Sequence, residues 1–380
     1  MIISLFHLSL GGGGVERMGI NLAQGFLTSG AKVDMVLANL IGPYISQLPS
    51  EVRLIDLGAK SLPRDIPKVI FNLTQYLKKV KPTFLISSSD HYNFLPLMAR
   101  RIAGTKTRIA VSFHTTLSQR SKNTPTIKAK LIPFVVRHFL PCADVIVAVS
   151  QGVAEDLASI TGIPKSRIRV IYNPVVTSEL LQRSHEHVKH AWFAPGEPPV
   201  ILGVGRLTKA KDFPTLIRAF ALVRQERPAR LMILGEGEER FRLEALVKEL
   251  GLEDDVALPG FVDNPYAYMA RAAVFVLSSA WEGLPTVLIE AMACGCPVVS
   301  TDCPSGPAEI LENGKYGPLV PVGDADKLAE AIRIVFDKPL ESDVLCRRAN
   351  LFSLEKICEE DLALLLRRNC AYEKEDANRV

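Results

Sequence analysis

The sequence predicts an α/β fold of two doubly wound domains, each built on a mainly parallel sheet with helices on both faces. The 380 residues exceed one ordinary core, and at roughly 150 residues per domain they indicate two domains. The composition, 48% hydrophobic and 23% charged residues, is typical of a globular chain with a sizeable buried core. Short β-rich runs alternate with helical periods along the chain, and this alternation favours parallel sheets.

Elements of the first half are separated by caps and breakers such as Gly30, Gly104 and Pro164. These elements define an N-terminal domain, residues 1–174. Residues 175–199 are rich in His, Pro and Gly, lack clear periodicity, and are predicted to form a linker. Strands are predicted at residues 2–8, 32–38, 52–57, 83–87, 108–113, 144–149 and 168–172, and helices at residues 15–28, 66–80, 93–103, 126–139 and 153–160.

The second half restarts the same alternation and predicts a C-terminal domain, residues 200–353, followed by a terminal segment, residues 354–380, with a helix near 354–368. Ligands of such sheets lie at the carboxyl ends of the strands, so the two domains are expected to face each other across a cleft. Strands are predicted at residues 200–204, 230–234, 256–258, 274–277 and 297–300, and helices at residues 214–225, 238–250, 265–271, 285–293 and 325–336.

Charge is distributed unevenly between the two halves. Residues 1–172 contain 21 Lys and Arg against 9 Asp and Glu, a net charge of +12, whereas residues 173–380 contain 24 against 32, a net charge of −8. This asymmetry indicates either an anionic partner for the first half or a solvated basic face. Basic and apolar residues alternate over residues 119–141, which predicts an amphipathic helix that docks on anionic lipid; its basic members are Arg120, Lys122, Lys128, Lys130 and Arg137.

Several classes of protein are disfavoured. No stretch reaches the roughly 18 to 20 apolar residues that span a bilayer. Seven cysteines, an odd number, make a poor disulfide framework and favour reduced thiols in the cytoplasm. Cys294, Cys296 and Cys303 form the one cluster, but no fourth ligand lies at finger-like spacing, so no metal site is expected.

Glycines follow the first predicted strand. Residues 11–14, which include Gly12 and Gly13, are all glycine, and the first predicted helix follows them. Glycine there lets backbone amides approach an anion at a helix N-terminus, although a tight turn alone also explains the run. The spacing does not match the dinucleotide fingerprint, which argues against an NAD-dependent oxidoreductase.

Two cations follow the first strand of the second half. Arg206 directly follows Gly205, and Lys211 lies in the same stretch of sequence. Both are therefore expected at the carboxyl edge of the sheet. A guanidinium bridges phosphate oxygens and an ammonium stabilises the charge of a leaving group, so the pair suits a diphosphate. A solvated loop is the alternative interpretation.

The third feature is a pair of glutamates. Glu282 lies in a loop and Glu290 lies in the apolar helix that follows, where a carboxylate is costly unless it has partners. Pro285 suits the first helical turn, and the amides near Gly283 are free to bind a phosphate. One carboxylate is then placed for a sugar and the other for a ribose. The alternative is a glutamate favoured by the helix dipole together with an exposed helical glutamate.

Together these motifs resemble the retaining glycosyltransferases of group 1, or family four, which have the GT-B fold of two Rossmann-like domains. Residues 203–324 resemble the nucleotide-binding domain of that family, and the run from Glu282 to Glu290, with seven residues between the pair, resembles its two-glutamate signature. Residues 11–14 resemble its glycine loop, and His114 its strand-end histidine. The resemblance extends over nearly the whole chain and is weaker in the first half.

The resemblance implies roles for individual residues. Arg206 and Lys211 would neutralise a donor diphosphate, Glu290 would hold the ribose, and Glu282 would grip the donor sugar. His114 would face the reaction centre, or would be a plain strand-end residue. Further donor contacts would come from Gly12, Gly13, Val262, Gly283, Leu284, Pro285 and Thr286. Leu284 stands where many family members carry phenylalanine.

The resemblance also implies a mechanism and a setting. The family is metal-independent, so no cofactor is expected beyond the nucleotide-sugar donor, for which UDP is predicted. The leaving diphosphate would accept the proton of the acceptor, and the configuration at the sugar would be retained. The N-terminal domain, residues 1–174, would bind the acceptor, a saccharide or a lipid-linked saccharide of surface polysaccharide or lipopolysaccharide synthesis. The C-terminal helix within residues 354–380 would pack back on that domain. The protein is predicted to be cytoplasmic and peripheral on the inner face of the membrane.

Other functions remain open at this stage. A sugar-nucleotide epimerase would share the fold and consume donor without an acceptor. A non-catalytic nucleotide-sugar binding protein would use the same residues for affinity alone. Nucleic-acid binding is disfavoured because the sequence contains no recognised motif for it.

Overall fold

The computed structural model describes residues 1–62, 64–119 and 134–366, and within them the chain forms two parallel sheets. The first sheet has seven strands in the order β3-β2-β1-β4-β5-β6-β7. Its pairs from β3 to β5 are parallel, as the alternation of strands and helices predicts. The strands are β1 (Ile2–His7), β2 (Lys32–Leu37), β3 (Arg53–Asp56), β4 (Phe84–Ser87), β5 (Arg108–Phe113), β6 (Val145–Ala148) and β7 (Ile168–Val170).

The second sheet has six strands in the order β10-β9-β8-β11-β12-β13, and all five of its pairs are parallel. Its last strand was not predicted, because two residues are too short to show a periodicity. The strands are β8 (Val200–Val204), β9 (Arg230–Leu234), β10 (Val256–Gly260), β11 (Val274–Leu277), β12 (Val298–Thr301) and β13 (Leu319–Val320).

Both sheets reverse their strand order once, between β1 and β4 and between β8 and β11. From each of these central strands the chain moves to one side of the sheet and later returns to the other side. Such a reversal leaves a crevice at the carboxyl ends of the two neighbouring strands, where ligands of open α/β sheets bind. The fold therefore provides two candidate crevices, one in each sheet.

Most helices follow the predicted positions within one or two residues, as expected for helix ends. Three were not predicted, α5, α10 and α12, because short polar helices have little apolar periodicity. The helices are α1 (Gly14–Thr28), α2 (Ile66–Val80), α3 (Phe94–Ala103), α4 (Gln151–Thr161), α5 (Ser178–Ser184), α6 (Phe213–Glu226), α7 (Arg240–Glu249), α8 (Pro265–Met269), α9 (Thr286–Ala293), α10 (Pro307–Ile310), α11 (Ala325–Asp337), α12 (Ser342–Ala349) and α13 (Leu354–Leu366).

The basic helix predicted over residues 119–141 falls mostly outside the described residues. Arg120, Lys122, Lys128 and Lys130 all lie there. Residues 134–139 are described and helical, with Phe134 71% exposed and Arg137 also exposed. No helix in the described part of the chain is both long and apolar enough to cross a membrane.

The chain divides into two compact units. The first contains Met1–Ser112, Phe139–Val147 and the segment from Leu354 onward, and the second contains Phe113–His138 and Ala148–Ser353. In the first unit α13 packs closely on α1, since a Cβ on Gly25 would lie 2.2 Å from the Sγ of Cys358. The segment predicted as a linker carries α5 in the second unit, where the Thr177 side chain accepts a hydrogen bond from the amide of Leu180.

Candidate active site

The loop after β8 is fixed against the loop after β9. The amide of Gly205 donates to the carbonyl of Leu234 at 3.0 Å, and the amide of Leu207 donates to the carbonyl of Glu236 at 2.9 Å. A Cβ on Gly235 would lie 2.0 Å from the carbonyl oxygen of Gly205, so glycine is required for this approach. Arg206 and Lys211 therefore lie on a loop whose backbone is held in place by hydrogen bonds.

Lys211 and Glu282 form an ion pair at the reversal point of the second sheet. The Lys211 Nζ lies 2.6 Å from the Glu282 Oε1, and the Ser279 hydroxyl donates to the same oxygen at 2.6 Å. The two charged side chains are only 20% and 13% exposed. They meet because β8 and β11 are neighbours, so the loops at their carboxyl ends share one edge.

Further hydrogen bonds hold the backbone of this pair. The Ser278 hydroxyl donates to the carbonyl of Lys211 at 2.8 Å, and the amide of Ala280 donates to the carbonyl of Ala210 at 2.8 Å. The buried Thr301 hydroxyl donates to the carbonyl of Ser279 at 2.6 Å. The ion pair is thus part of a preorganised polar network rather than a mobile surface contact.

Arg206 lies on the same loop as Lys211, and its side chain is exposed. A guanidinium is able to bridge two phosphate oxygens. Lys211, by contrast, already has an anionic partner. The loop after β8 therefore presents one exposed cation and one cation that is shared with Glu282.

The loop between β11 and α9 carries Glu282 and Gly283 and is called the glutamate loop. It contacts the backbone at the end of β5. A Cβ on Gly283 would lie 1.9 Å from the carbonyl oxygen of His114, so only glycine fits. His114 directly follows β5 but belongs to the second compact unit, as Gly283 does. The structure thus brings two predicted site residues together that are far apart in sequence.

The His114 side chain is buried, with 9% of its surface exposed. Burial lowers the pKa of its imidazole from 6.5 to about 4, because the charged form loses its hydration. At neutral pH the ring is therefore uncharged and is a weak base. It is able to offer hydrogen bonds to a sugar but is poorly suited to remove a proton.

Two serines hold the carbonyl of Gly283. The hydroxyls of Ser150 and Ser305 lie 2.9 Å and 2.7 Å from that oxygen and 2.7 Å from each other. The Ser150 hydroxyl also accepts from the amide of Val153 at the start of α4. Ser305 has a φ of 72°, a left-handed conformation that is uncommon for a serine. The glutamate loop is therefore fixed from two sides.

Glu309 completes this support. Its carboxylate accepts from the amides of Gln151 and Gly152, at 2.8 and 3.1 Å, at the N-terminus of α4. The Tyr172 hydroxyl donates to the same carboxylate at 3.3 Å. An anion at a helix N-terminus is stabilised by the helix dipole and the free amides.

The sequence analysis did not assign Ser150, Ser305 or Glu309 to the site. Ser150 was recognisable as a helix cap, because serine before an apolar helix is a common N-terminal signal. The sequence around Ser150 does not indicate its partners, since Ser150 and Gly283 are 133 residues apart. Ser150 and Ser305 contact the loop of Glu282 directly, whereas Glu309 holds the start of α4, next to Ser150.

The helix α9 begins one residue later than predicted. Pro285 is extended, with ψ 92°, and occupies the cap position, and Thr286 is the first helical residue. Leu284 is buried, with 7% of its surface exposed, and Glu290 is buried within the apolar helix, with 8% exposed. The Glu290 carboxylate adds to the effect of burial in raising the pKa of Cys294 to about 12, so that thiol stays protonated.

The remaining predicted residues lie at other strand ends. Val262 is half-buried and follows β10, where the amide of Gly235 donates to the carbonyl of Gly260 at 2.8 Å. Gly12 and Gly13 belong to the first unit, in the loop between β1 and α1. Gly12 has a φ of 93°, and Gly13 is the cap residue of α1.

Two family models match the chain. Residues 12–179 match the model described as Glycosyltransferase Family 4, and residues 185–350 match the model described as Glycosyl transferases group 1. The two matched ranges lie one after the other and leave few residues between them.

Relatives and solved structures are similar over nearly the full length. The N-acetylgalactosamine-N,N'-diacetylbacillosaminyl-diphospho-undecaprenol 4-alpha-N-acetylgalactosaminyltransferase of Campylobacter jejuni is 33% identical, over 96% of this chain and 99% of that protein. A glycosyltransferase structure from Rickettsia africae has a TM-score of 0.80 at 19% identity, covering 96% and 97% of the two chains. Anabaena HepE in complex with UDP-glucose has a TM-score of 0.77 at 21% identity, covering 96% and 99%.

Proposed function

Since the chain belongs to the group 1, family 4 glycosyltransferases and has their GT-B fold, we propose that it transfers a hexosyl or N-acetylhexosaminyl group from a UDP-sugar to a saccharide or lipid-linked saccharide. The observation that carries this proposal is the pair of Lys211 and Glu282 on neighbouring strand ends, with Arg206 on the same loop. Cations and a carboxylate at one sheet edge suit the diphosphate and the sugar of such a donor.

The proposed chemistry needs charge stabilisation more than proton transfer by the protein. As the bond between the sugar and the diphosphate breaks, negative charge develops on the leaving oxygens. Arg206 and Lys211 stabilise that charge in the transition state. The leaving diphosphate accepts the proton of the acceptor hydroxyl, and configuration is retained. The low pKa of His114, about 4, agrees with a mechanism that does not use this ring as a base.

Glu282 holds the ammonium of Lys211 in position before the donor binds. The ammonium is paired, so its charge is partly compensated and its position is fixed. The sugar hydroxyls of a bound donor would share Glu282 with Lys211 and Ser279. This sharing would place the sugar next to the cation that stabilises the leaving group. Glu290, buried in α9, would hold the ribose hydroxyls.

The relatives support a UDP-sugar and a glycan pathway. The Campylobacter protein is named for a reaction with a saccharide linked to diphospho-undecaprenol, and the Anabaena structure contains UDP-glucose. By this likeness the donor of the present chain is a UDP-sugar with a galactose-type or N-acetylhexosamine sugar. The product would enter surface polysaccharide or lipopolysaccharide synthesis.

A metal ion is not part of the proposed mechanism, because Arg206 and Lys211 supply the positive charge. The test is turnover in the presence of excess EDTA. Unchanged turnover supports the proposal, and a loss that Mg²⁺ or Mn²⁺ restores contradicts it.

A thermal-shift screen identifies the donor. UDP is expected to raise the Tm, whereas GDP and ADP leave it unchanged, because only a bound nucleotide stabilises the folded state. UDP-sugars are then incubated with bacterial lipid extract, and NMR of the product determines the anomeric configuration. Stabilisation by GDP alone contradicts the UDP assignment, and an inverted product contradicts retention.

The same incubation distinguishes an epimerase. An epimerase would convert the donor without any lipid extract, whereas a transferase releases UDP efficiently only when an acceptor is present. A requirement for the extract supports transfer.

The peripheral membrane contact is a separate part of the proposal. It rests on the net charge of +12 of residues 1–172 and on the exposed Phe134 and Arg137. Binding to vesicles should rise with anionic lipid and fall with salt. Replacement of Lys128, Lys130 and Arg137 by Gln should weaken vesicle binding and spare UDP binding. Equal binding to neutral and anionic vesicles would contradict a membrane contact.

A further inference from the structure

The reversal point of the first sheet carries polar groups that have no assigned function. At this point β1 and β4 are parallel neighbours, with Phe6 opposite Ser87. The chain after β4 continues as Ser88, Ser89 and Asp90, all of them buried, with 8%, 8% and 7% of their surfaces exposed. Three buried polar residues in a row at the carboxyl end of a strand are unusual, because burial costs a polar group its hydration.

Asp90 has a strained backbone. Its φ is 43°, in the left-handed region, where residues other than glycine are uncommon. A residue other than glycine pays for this conformation in free energy, and such residues persist only where the surrounding structure holds them. Strain of this kind is concentrated at binding and catalytic sites.

Asn93 fixes the turn that contains Asp90. Its side-chain oxygen accepts from the hydroxyl of Ser87 at 2.6 Å and from the amide of Ser89 at 3.0 Å. Its side-chain nitrogen donates to the carbonyl of Ser112 at 2.9 Å, which ties the turn to β5. The turn is therefore preorganised before any ligand binds.

The hydroxyl of Ser89 provides independent evidence for a ligand site at this turn. Its oxygen is buried and has no hydrogen-bond partner anywhere in the described chain. A buried hydroxyl without a partner is destabilising, and the great majority of such groups in folded proteins are satisfied. The hydroxyl is thus available for a ligand at the same turn as the strained carboxylate.

Aromatic rings begin two residues further on. The rings of Tyr92 and Phe94 stack with centroids 6.3 Å apart, and Phe94 contacts Phe139 at 5.7 Å. Binding sites for small molecules commonly combine apolar or aromatic walls with a few precisely placed polar groups. Here the polar groups are one carboxylate and one hydroxyl.

We propose that Ser89 and Asp90 bind the hydroxyl groups of the acceptor sugar at the reversal point between β1 and β4. This inference rests on the proposed glycosyltransferase function and assigns the acceptor contact to named residues. A carboxylate accepts hydrogen bonds from two sugar hydroxyls, and the Ser89 hydroxyl donates to or accepts from a third. The carboxylate repels phosphate, so the group bound here is a neutral saccharide.

The experiment measures saccharide binding separately from donor binding. Saturation-transfer NMR follows methyl glycosides of galactose, N-acetylgalactosamine and glucose, and calorimetry follows UDP, both with the full-length protein. The wild type should bind at least one glycoside. Asp90→Asn should weaken that binding at least about tenfold, the effect of losing hydrogen bonds to a charged group, and leave the affinity for UDP unchanged.

Ser89→Ala separates a binding role from a structural one. It should weaken glycoside binding while the Tm stays the same or rises, because the variant removes a buried hydroxyl that lacks a partner. Asp90→Gly serves as a second variant that folds readily, since glycine adopts the left-handed conformation without strain. Asp56→Asn is the matched control, because this exposed carboxylate ends the strand β3 of the same sheet.

Two results would overturn the proposal. One is a wild type that binds UDP but none of the glycosides. The other is glycoside binding that Asp90→Asn, Asp90→Gly and Ser89→Ala all leave intact. Failure of the wild type to bind UDP would instead contradict the proposed donor, so the two failures are distinguishable. Galactose 1-phosphate should bind the wild type more weakly than methyl galactoside, and Asp90→Asn should reduce that difference.

Discussion

The strand order reverses at equivalent places in the two sheets, between β1 and β4 and between β8 and β11. The polar groups at these two reversal points differ in kind. Between β8 and β11 the charged groups satisfy one another: Lys211 pairs with Glu282, which also accepts from Ser279. Between β1 and β4 the Ser89 hydroxyl lacks a partner and Asp90 has strained backbone. At the second reversal point the Lys211–Glu282 pair is satisfied before a ligand binds, whereas at the first the Ser89 hydroxyl is not.

This difference predicts how substitutions act in each place. At the second reversal point the site residues also hold the fold together, so replacing them should affect both stability and turnover. At the first reversal point the Ser89 hydroxyl has no hydrogen bond to lose, so Ser89→Ala should weaken binding while the Tm stays the same or rises.

Lys211→Ala should lower turnover by about 10²- to 10³-fold, because it removes a cation that stabilises the leaving group. Steady-state kinetics with the UDP-sugar found by the donor screen provide the measurement. Lys209→Ala is the matched control, since Lys209 is an exposed lysine of the same loop. A folded Lys211→Ala protein with normal turnover would refute the role of this residue.

His114 should make the protein sensitive to acid. The pKa of its imidazole is about 4 in the folded protein against 6.5 in a model peptide, so between these pH values the unfolded chain binds a proton that the folded chain does not. The free energy of unfolding should therefore fall by roughly 3 kcal/mol from this group as the pH drops from above 6.5 to 4.

Urea unfolding of the wild type and of His114→Gln at pH 7 and pH 4.5 checks this expectation. The variant should lose less stability between the two pH values, because it lacks the titrating group. Equal losses in both proteins would show that His114 titrates normally.

Gly283→Ala should lower the free energy of unfolding by roughly 1–3 kcal/mol, because the added methyl group would overlap the carbonyl oxygen of His114. Turnover should fall as well, since the loop that carries Glu282 must move. Gly251→Ala is the control: its φ is 66° with open space around it, so it strains the backbone without displacing a site loop. Normal turnover in Gly283→Ala would mean that the loop tolerates displacement.

Glu309→Gln should have the smallest effect, a loss of about 1 kcal/mol in stability, because a neutral amide interacts less well with the N-terminus of α4. A positioning role for Glu309 predicts in addition a lower kcat at unchanged KM for the donor. Loss of stability with normal kcat would assign Glu309 to structure alone.

Much of the fold was predictable because its signals are local. The alternation of strand and helix periods located five of the six strands of the second sheet, all except the two-residue β13, and α2 was predicted with the same ends that the structure shows. The glycines after β8 and the glutamate pair were also recognisable as motifs. Their function depends on residue types at fixed spacing, which the sequence displays directly.

The sequence by itself determined the α/β class, the two sheets and the motif residues Lys211, Glu282 and Glu290. Only the tertiary structure decided which distant groups meet. Lys211 and Glu282 are 71 residues apart and pair because the sheet order places β8 beside β11. The left-handed conformation of Asp90 and the unpartnered Ser89 hydroxyl likewise belong to a turn that Asn93 ties to the neighbouring strand. Periodicity is set by adjacent residues, whereas strand order and burial arise from packing of the whole chain.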